Sequence, residues 1–194
     1  MFLSVLICVN IMKSIYILHL GEIDSEILNA IKTELTIIFQ VPAKILATTT
    51  NPAYAFEPKR SQYYSTKILK EINCQLPGDG MKILGITEVD LCTPVLTFVF
   101  GEAHLAGTAA VISLARLRQE HYQLPANKTT LINRAIKEAI HELGHTFGLV
   151  HCGDSQCVIC FSPNVLSVDH KGHNFCPMCQ GILANRIVEM IERE

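Results

Sequence analysis

Three histidines and a glycine in the segment HELGHTFGLVH have the spacing of ligands to a single metal ion. Residues four apart lie one above the other on an α-helix, so His141 and His145 are predicted to present two imidazoles from one helix face. Gly148 stands where helices often end at a residue with positive φ, and the chain can turn back there to bring His151 up as a third ligand. Three protein ligands leave the fourth tetrahedral position of a zinc ion to water, which is typical of a catalytic site.

Glu142 is the residue of this segment that could act on such a water. It follows His141 directly and therefore points about 100° away around the helix axis, so it is poorly placed as a ligand. Its carboxylate can instead take a proton from a zinc-bound water, whose pKa falls to roughly 7, and pass the proton to a leaving amine. The predicted chemistry is hydrolysis of an amide bond.

The length of the motif separates it from a chance recurrence of histidines on an amphipathic helix. HExxH alone occurs by chance, whereas this chain extends it to HExxHxxGxxH. At that length the segment resembles the metzincins, the metallopeptidase clan that shares the motif. The resemblance implies a zinc-dependent metallopeptidase with Glu142 as general base and then acid, and with His141, His145 and His151 as ligands of the catalytic zinc.

Five cysteines crowd into the 28 residues from 152 to 179. The order of four of them resembles the archaemetzincins, a metzincin family in which the long motif is followed by one cysteine, a second cysteine and a CxxC pair. By this resemblance a second, structural zinc is held by Cys152, Cys157, Cys176 and Cys179, which gives two zinc ions per chain. The resemblance extends over most of the chain from Met12 onward, and the region 141–179 is its most specific part.

Cys160 creates a rival set of ligands for the structural site. CxxC…CxxC is the commoner spacing of a four-thiolate zinc site, so spacing alone would combine the CVIC segment with the CPMC segment and leave Cys152 out. In favour of Cys152, adjacent residues of an extended chain point to opposite sides, so His151 could face one zinc while Cys152 faces the other.

The chain departs from the family pattern beneath the predicted active site. Archaemetzincins have a methionine two residues after the second cysteine, in a turn that forms an apolar floor under the catalytic zinc, and this chain has Ile159 there. Because that methionine is not a ligand, an isoleucine of similar bulk should preserve the floor and lose only the adaptability of sulfur. We expect Ile159 to alter activity in degree and not in kind.

Disulfide bonding is the alternative interpretation of the cysteines. It requires an oxidising compartment, and the remaining thiols, Cys8, Cys74 and Cys92, are scattered without partners that the sequence identifies. Zinc binding is favoured, and with it a cytoplasmic location.

Composition indicates a compact domain and excludes some partners. With 194 residues, of which 49% are hydrophobic, the chain can bury one sizeable core. A charged fraction of 18% and a net charge of −2 give no electrostatic footprint for nucleic acid, and Lys59 and Arg60 are expected in a solvated loop.

Asn10, Lys13 and His19 interrupt the apolar N-terminus, so no membrane span is predicted. The expected partner is a peptide or protein substrate of a monomeric enzyme.

The N-terminus suggests a boundary at Met12. Met12 and Lys13 are followed by SIYILHLGEID, which reads as a natural start that opens directly into a buried strand. Residues 1–11 are therefore expected to be a misassigned or disordered extension. The remainder, 12–194, is expected to form a single metzincin-like catalytic domain with a cysteine-rich structural zinc region at 152–179.

The hydrophobic pattern predicts one alternating α/β domain. Strands are predicted at 14–20, 43–47, 82–87, 96–100 and 109–115, and helices at 24–39, 61–73, 129–147 and 177–193. Asp24 is predicted to begin the first helix, and Asn127 or a nearby threonine to begin the long active-site helix. The resemblance refines the fold class to a metzincin-like α+β arrangement, with a twisted mixed sheet of about five strands, an antiparallel edge strand, a long active-site helix and a C-terminal helix.

The segment LTFVFGEA, 96–103, lies where a metzincin has its edge strand above the cleft. Unpaired N–H and C=O groups at an edge can pair with an extended peptide, so the resemblance implies that a substrate lies across the zinc there. A plain edge strand covered by a loop is the alternative.

Two aspartates, Asp154 and Asp169, are expected to be turn residues. Four further histidines are expected to be solvated or hydrogen-bonded in place, namely His104, His121, His170 and His173.

Two other functions remain compatible with the motif. The zinc ion and the cleft could belong to a non-catalytic, zinc-stabilised module that binds peptides. Alternatively, the zinc-dependent hydrolysis could act on a small amide or ester. Glu142 favours catalysis over the binding module, because a purely structural site has no use for a base beside an open coordination position.

Overall fold

The computed structural model describes residues 13–47 and 50–192, and the predicted extension at 1–11 lies outside them. Along the chain, the main elements are β1 Ser14–Leu20, α1 Ser25–Phe39, β2 Ala43–Ile45, β3 Phe56–Glu57, β4 Gln62–Tyr64, α2 Ser65–Asn73, β5 Gly80–Thr87, β6 Leu91–Cys92, β7 Gly101–Ala103, β8 Ala109–Ser113, α3 Lys128–Thr146, α4 Val165–His170 and α5 Pro177–Glu192. Two short 3₁₀ helices, Pro52–Ala55 and Gln119–Tyr122, complete the set.

A five-stranded mixed sheet forms the centre of the fold, in the order β2-β1-β5-β8-β7. Four strands are parallel, and β7 pairs antiparallel with β8 at the edge. The predicted mixed sheet with an antiparallel edge strand is therefore confirmed. A second sheet, β3-β4-β6, is small and was not predicted, because strands of two or three residues leave little periodicity in a sequence.

Both faces of the sheet are covered by helices. In β1, Ile15 and Ile17 point to the face that carries α1 and α3, whereas Tyr16 and Leu18 point to the face that carries α2. This alternation follows from the two-residue period of a strand. Parallel strands buried on both faces read as continuous apolar runs, which explains why β1 and β5 were recognisable in the sequence.

Helix α3 begins and ends where its sequence predicts. Asn127 Oδ1 accepts a hydrogen bond from Thr130 N at 3.0 Å and so satisfies a free amide at the N-terminus. At the other end the chain reverses at Gly148, whose φ is +89°. Glycine adopts this conformation without steric cost, so the chain can return toward the helix immediately after the motif.

A buried lysine of the sheet holds the C-terminal end of α3. Lys82 Nζ donates to the carbonyl oxygens of Gly107 at 2.6 Å and Thr146 at 2.8 Å, and it lies 4.6 Å from the centroid of the Phe147 ring. A cation at a helix C-terminus also interacts favourably with the helix dipole. Lys82 therefore fixes the point at which the chain leaves α3 toward His151.

We expect Lys82→Met to lower the free energy of unfolding by about 2–4 kcal/mol, because it leaves the buried carbonyl group of Thr146 and the half-buried one of Gly107 without their donor. Methionine is of similar length, so the loss reports the hydrogen bonds more than a cavity. Chemical denaturation measures the effect, and Lys32→Met, at an exposed position of α1, is the matched control with an expected change within about 0.5 kcal/mol. Equal stability of the two variants would contradict the anchoring role.

Charged side chains of α3 also bind α4. The Arg134 guanidinium pairs with both carboxylate oxygens of Asp169, at 2.7 and 2.6 Å, and Lys137 Nζ donates to the carbonyls of Val168 and Asp169 at 3.0 and 2.9 Å. The prediction of Asp169 as a turn residue was wrong, because its carboxylate forms a bidentate ion pair between helices. These contacts fix α4 against α3.

The rim segment, 93–100, is irregular, and the predicted strand at 96–100 was wrong. The Arg60 guanidinium donates to the carbonyl oxygens of Thr93 at 2.8 Å and Leu96 at 2.7 Å. Carbonyl groups bound by a side chain are not available for a sheet ladder, so the edge strand begins only at β7. The prediction that Arg60 lies in a solvated loop was also wrong, because its guanidinium is bound to these two carbonyl groups.

None of the helices within 13–47 and 50–192 has the length and apolarity that crossing a membrane requires.

Candidate active site

A cleft of about 420 Å³ lies between α3 on one side and the rim segment with the start of β7 on the other. Phe98, Phe100 and Phe161 contribute apolar walls, and the polar surface comes chiefly from side chains of α3 and from His151. The cleft therefore combines an apolar groove with one face of titratable groups, as small-molecule and peptide sites commonly do.

The three motif histidines, the histidine cluster, meet on one side of this cleft. The ring centroids of His141, His145 and His151 lie 4.7 to 5.3 Å apart. One nitrogen of each ring lies within 4.8 Å of the others, so all three can reach one ion. The structure thus brings together residues that lie on α3 and on the chain that returns from it.

Hydrogen bonds at the far side of two rings orient their other nitrogens. His141 Nδ1 donates to the carbonyl oxygen of Val158 at 2.9 Å, and His145 Nδ1 donates to that of Leu149 at 2.7 Å. These bonds leave both Nε2 atoms unprotonated and facing each other at 3.1 Å. Two lone pairs at this distance repel unless a cation lies between them, and histidines that bind a metal usually donate their other ring N–H to a carbonyl group in this way.

The donor set fits zinc. Imidazole nitrogens at the usual zinc–nitrogen distance in a tetrahedral arrangement lie roughly 3.3 Å apart, close to the 3.1 Å between the two Nε2 atoms. Burial lowers the pKa of His141 well below its ordinary value and also lowers those of His145 and His151. Neutral imidazoles are the form that binds a metal, so burial prepares the cluster for an ion.

Glu142 is buried at the back of the cleft, against the edge strand. Burial raises the pKa of its carboxyl well above the ordinary value, and the nearby Glu138 carboxylate raises it further. The strand passes so close that a Cβ at Gly101 would lie 2.5 Å from Glu142 Cγ and 2.7 Å from the carbonyl oxygen of Val111. Glycine is required at position 101 because Glu142 occupies the space of a side chain.

We expect Gly101→Ala to lower kcat/KM on the order of 10²-fold, because a carboxylate displaced by about 1 Å loses its alignment with the reacting atoms. Zinc content should be unchanged, since the atoms nearest to a Cβ at position 101 belong to Glu142 and Val111 and not to the histidine cluster. Peptide hydrolysis and metal analysis together measure the effect. Gly153→Ala is the control, because a Cβ at Gly153 meets open space. Full activity of Gly101→Ala would show that Glu142 is not held by the strand.

Four thiols form a second cluster, the thiol cluster. The sulfur atoms of Cys152, Cys157, Cys176 and Cys179 lie within 4.8 Å of one another. Cys152 Sγ and Cys176 Sγ are 3.8 Å apart, which matches the roughly 3.8 Å between sulfurs of a tetrahedral zinc site and is far beyond a disulfide bond. All cysteines of the described ranges are free thiols, and Cys160 lies outside the cluster.

Backbone amides point at the sulfurs as they do around thiolates. Cys176 N donates to Cys157 Sγ at 3.2 Å, and Asp154 N donates to Cys152 Sγ at 3.4 Å. The backbone N–H of Cys179 lowers the pKa of the Cys176 thiol, whereas burial raises the pKa of Cys157 and of Cys179. Buried thiols with raised pKa values become thiolates only with a compensating cation, so this cluster also fits zinc.

Ile159 packs against α3 next to His145. It is fully buried, and its Cδ1 would be 2.8 Å from a Cβ at Gly144, the residue before His145. The side chain therefore packs against α3 at the turn that carries His145. Its role as an apolar floor beneath the catalytic zinc stays a prediction.

Other residues of the site were not predicted. Glu138 lines the cleft, and Lys171 Nζ lies 2.8 Å from Glu138 Oε1 and 3.2 Å from His141 Nδ1. Glu138 could have been found from its spacing, since it precedes Glu142 by four residues on the same helix. Lys171 carries no such signal, because only the folded chain brings α4 to α3. The four further histidines lie outside both clusters.

Comparisons with known proteins agree with this geometry. The profile of peptidase family M54 matches residues 9–185. The archaemetzincin of Methanocaldococcus jannaschii is 45% identical over 166 residues, which cover 86% of this chain and 90% of that protein. The crystal structure of the archaemetzincin of Methanopyrus kandleri superposes with a TM-score of 0.81 at 33% identity, over 94% of this chain and 99% of that one. A zinc-dependent peptidase of Methanocorpusculum labreanum superposes equally, at 0.81 and 29% identity, over 87% of this chain and 99% of that one.

The fold, the histidine motif and these relatives define a zinc-dependent metallopeptidase of the metzincin class. The resemblance noted in the sequence is confirmed. The chain belongs to peptidase family M54, the archaemetzincins.

Proposed function

We propose that this metallopeptidase hydrolyses peptide bonds with Glu142 as general base and then acid, in a site where the histidine cluster holds a catalytic zinc. The observation that carries the proposal is that His141 Nε2 and His145 Nε2 face each other at 3.1 Å. Glu142, which follows His141 on the same helix, has a buried carboxylate beside this pair. A zinc ion held by three imidazoles supplies Lewis acidity and makes water nucleophilic near neutral pH.

The Glu142 carboxylate takes the proton of the attacking water and delivers it to the nitrogen of the leaving amine. Its burial favours the protonated form, which suits a group that must hold a proton between the two transfers. The strand at Gly101 limits where the carboxylate can lie, so the proton is held at a fixed point of the cleft. Glu142 thus contributes proton transfer, and the edge strand contributes its position.

The edge strand β7 also offers a place for the substrate backbone. Among the described residues it pairs with β8 on one side only, and Gly101 lines the cleft. An extended peptide can pair with the free side of such a strand and cross the histidine cluster. This arrangement supports a peptide or protein substrate over a small amide or ester.

The thiol cluster is proposed to hold a second, structural zinc, so that each chain carries two zinc ions. Its four sulfurs leave no position for water, which is the mark of a structural site. Free thiols in this number suit a reducing compartment, so a cytoplasmic location is part of the proposal. The monomeric state stays a prediction.

The test is digestion of a peptide library by zinc-loaded protein, with the cleavage points read by mass spectrometry. Cleavage should disappear after chelation and return with zinc, and the new termini distinguish an endopeptidase from an aminopeptidase. A protein that binds library peptides with two zinc ions per chain and cleaves none of them would instead be a peptide-binding module. Cleavage that persists without metal would contradict the proposed mechanism.

A further inference from the structure

A fifth thiol lies beside the thiol cluster. Cys160 and Cys152 pair in a parallel β-bridge, and Cys152 N donates to the carbonyl oxygen of Ile159 at 3.3 Å. Chains paired in this way lie about 4.8 Å apart, which is within the roughly 4.4–6.8 Å that separates the Cα atoms of a disulfide. The backbone therefore already holds these two cysteines at a separation that a disulfide bond can span.

The side chains of the two cysteines project from the same face of this pairing. Neighbouring residues of an extended chain point to opposite sides, and paired residues of adjacent chains point to the same side. His151 and Cys152 follow this rule, since one lies in the histidine cluster and the other in the thiol cluster. Ile159, which the pairing places beside His151, packs against α3 next to His145. Cys160, the next residue, is thereby directed to the side of Cys152.

Both paired thiols are accessible from outside. Cys152 and Cys160 are half-buried, whereas Cys157 and Cys179 are buried. Cys160 also lines a surface cavity of about 370 Å³, which is much larger than a peroxide molecule. Since Cys160 is not one of the four grouped ligands, its sulfur is free to react while zinc engages the others. A small oxidant that reaches Cys152 thus finds an unbound thiol next to it.

We propose that Cys152 and Cys160 are a redox pair that hydrogen peroxide closes into a disulfide, with release of the structural zinc. The inference rests on the zinc that we propose for the thiol cluster, and it assigns a regulation to that site. The Cys152 thiolate attacks one peroxide oxygen, the O–O bond breaks, and a sulfenic acid and hydroxide form. The Cys160 thiolate then attacks the sulfenic sulfur, an S–S bond forms, and a second hydroxide leaves. The two thiols lose two electrons and two protons, and the peroxide is reduced to two waters.

Oxidation of this pair removes one of the four ligands of the thiol cluster. The three sulfurs that remain leave the tetrahedral zinc site incomplete, so the ion is held less tightly. Because His151 directly precedes Cys152, the chain that presents the third histidine also loses its anchor, and peptidase activity should fall as zinc leaves. A thiol reductant together with zinc should restore both ions, because exchange with a thiol opens the disulfide.

The test treats zinc-loaded, reductant-free protein with hydrogen peroxide and follows zinc release with a colorimetric chelator. For the parent we expect release of one zinc ion per chain, a mass lower by two hydrogen atoms, and a peptide map that links Cys152 to Cys160. Cys160→Ser should release zinc about 10-fold more slowly, because its sulfenic acid has no free thiol beside it. Cys74→Ser removes the exposed thiol that follows α2 and is the matched control, with release at the parental rate.

Two results would overturn the assignment of Cys160. One is a map that links Cys152 to Cys176, the neighbouring ligand whose sulfur lies 3.8 Å away, and the other is equal zinc release from the parent and Cys160→Ser.

Native mass spectrometry of the untreated protein separates this inference from the proposed zinc. Two zinc ions per chain, with no Cys152–Cys160 disulfide after peroxide, would support the structural zinc and refute the redox pair. One zinc ion per chain, with that disulfide formed, would refute the structural zinc and support the redox pair. Neither readout depends on peptide cleavage, so the pair is tested whether or not the protein proves to be a peptidase.

Discussion

Glu142→Gln is expected to lower kcat/KM by about 10²- to 10⁴-fold, the range that general acid–base groups contribute. Glutamine has the shape of glutamate but cannot take a proton from water, so the substitution removes proton transfer and preserves packing against Gly101. Burial disfavours the charge of Glu142, so a neutral amide should fold at least as well. Hydrolysis of a peptide found in the library digest, with zinc content measured on the same sample, provides the test.

The matched control is Glu71→Gln, an exposed glutamate on α2 far from the cleft, for which unchanged kinetics are expected. Zinc content of Glu142→Gln should equal that of the parent, because Glu142 is not one of the grouped ligand residues. A variant that loses activity together with zinc would point to a structural role. A variant that cleaves as fast as the parent would remove Glu142 from the mechanism.

Cys179→Ser is expected to eliminate one of two zinc ions per chain and to lower the free energy of unfolding by about 4 kcal/mol or more. That loss is a large part of the 5–15 kcal/mol that typically stabilises a domain. The reason is that Cys179 joins α5 to the thiol cluster, and the three remaining thiols leave one of the four positions of a tetrahedral zinc site without a protein ligand. Native mass spectrometry counts the ions, and thermal or denaturant unfolding measures the stability.

Cys160→Ser is the matched control and also decides between the two ligand sets that spacing allows. Cys160 lies three residues after Cys157 but outside the thiol cluster, so we expect two zinc ions and parental stability. Loss of one zinc from Cys160→Ser, with both retained in Cys152→Ser, would show that the CVIC and CPMC segments form the site.

Most of the site could be read from the sequence because its ligands are local. His141, Glu142 and His145 share one helix, and the chain needs only the reversal at Gly148 to bring His151 to them. The helix start at Asn127 was equally readable, because a side chain that caps a helix does so within three residues. Periodicity and capping encode such features over short distances.

The parts that were missed depend on contacts between distant segments. The rim segment has the apolar pattern of a strand, but Arg60, more than thirty residues earlier, binds its carbonyl groups. Lys171 meets Glu138 only because Arg134 and Asp169 join α3 to α4. The pattern of residues along the chain does not show which distant polar groups will be in contact in the folded protein. In this protein such contacts determine the shape of the cleft.

The peptide bond between His151 and Cys152 joins the two clusters, since one residue lies in each. An ion at the thiol cluster fixes the chain that presents His151, and an ion at the histidine cluster fixes the chain that presents Cys152. The two proposed affinities are therefore linked, and linkage requires that each ion strengthen the binding of the other by the same factor. In a cell where zinc is scarce, this coupling would fill some molecules completely and leave others empty, so zinc supply would set the number of active enzymes more than the activity of each one.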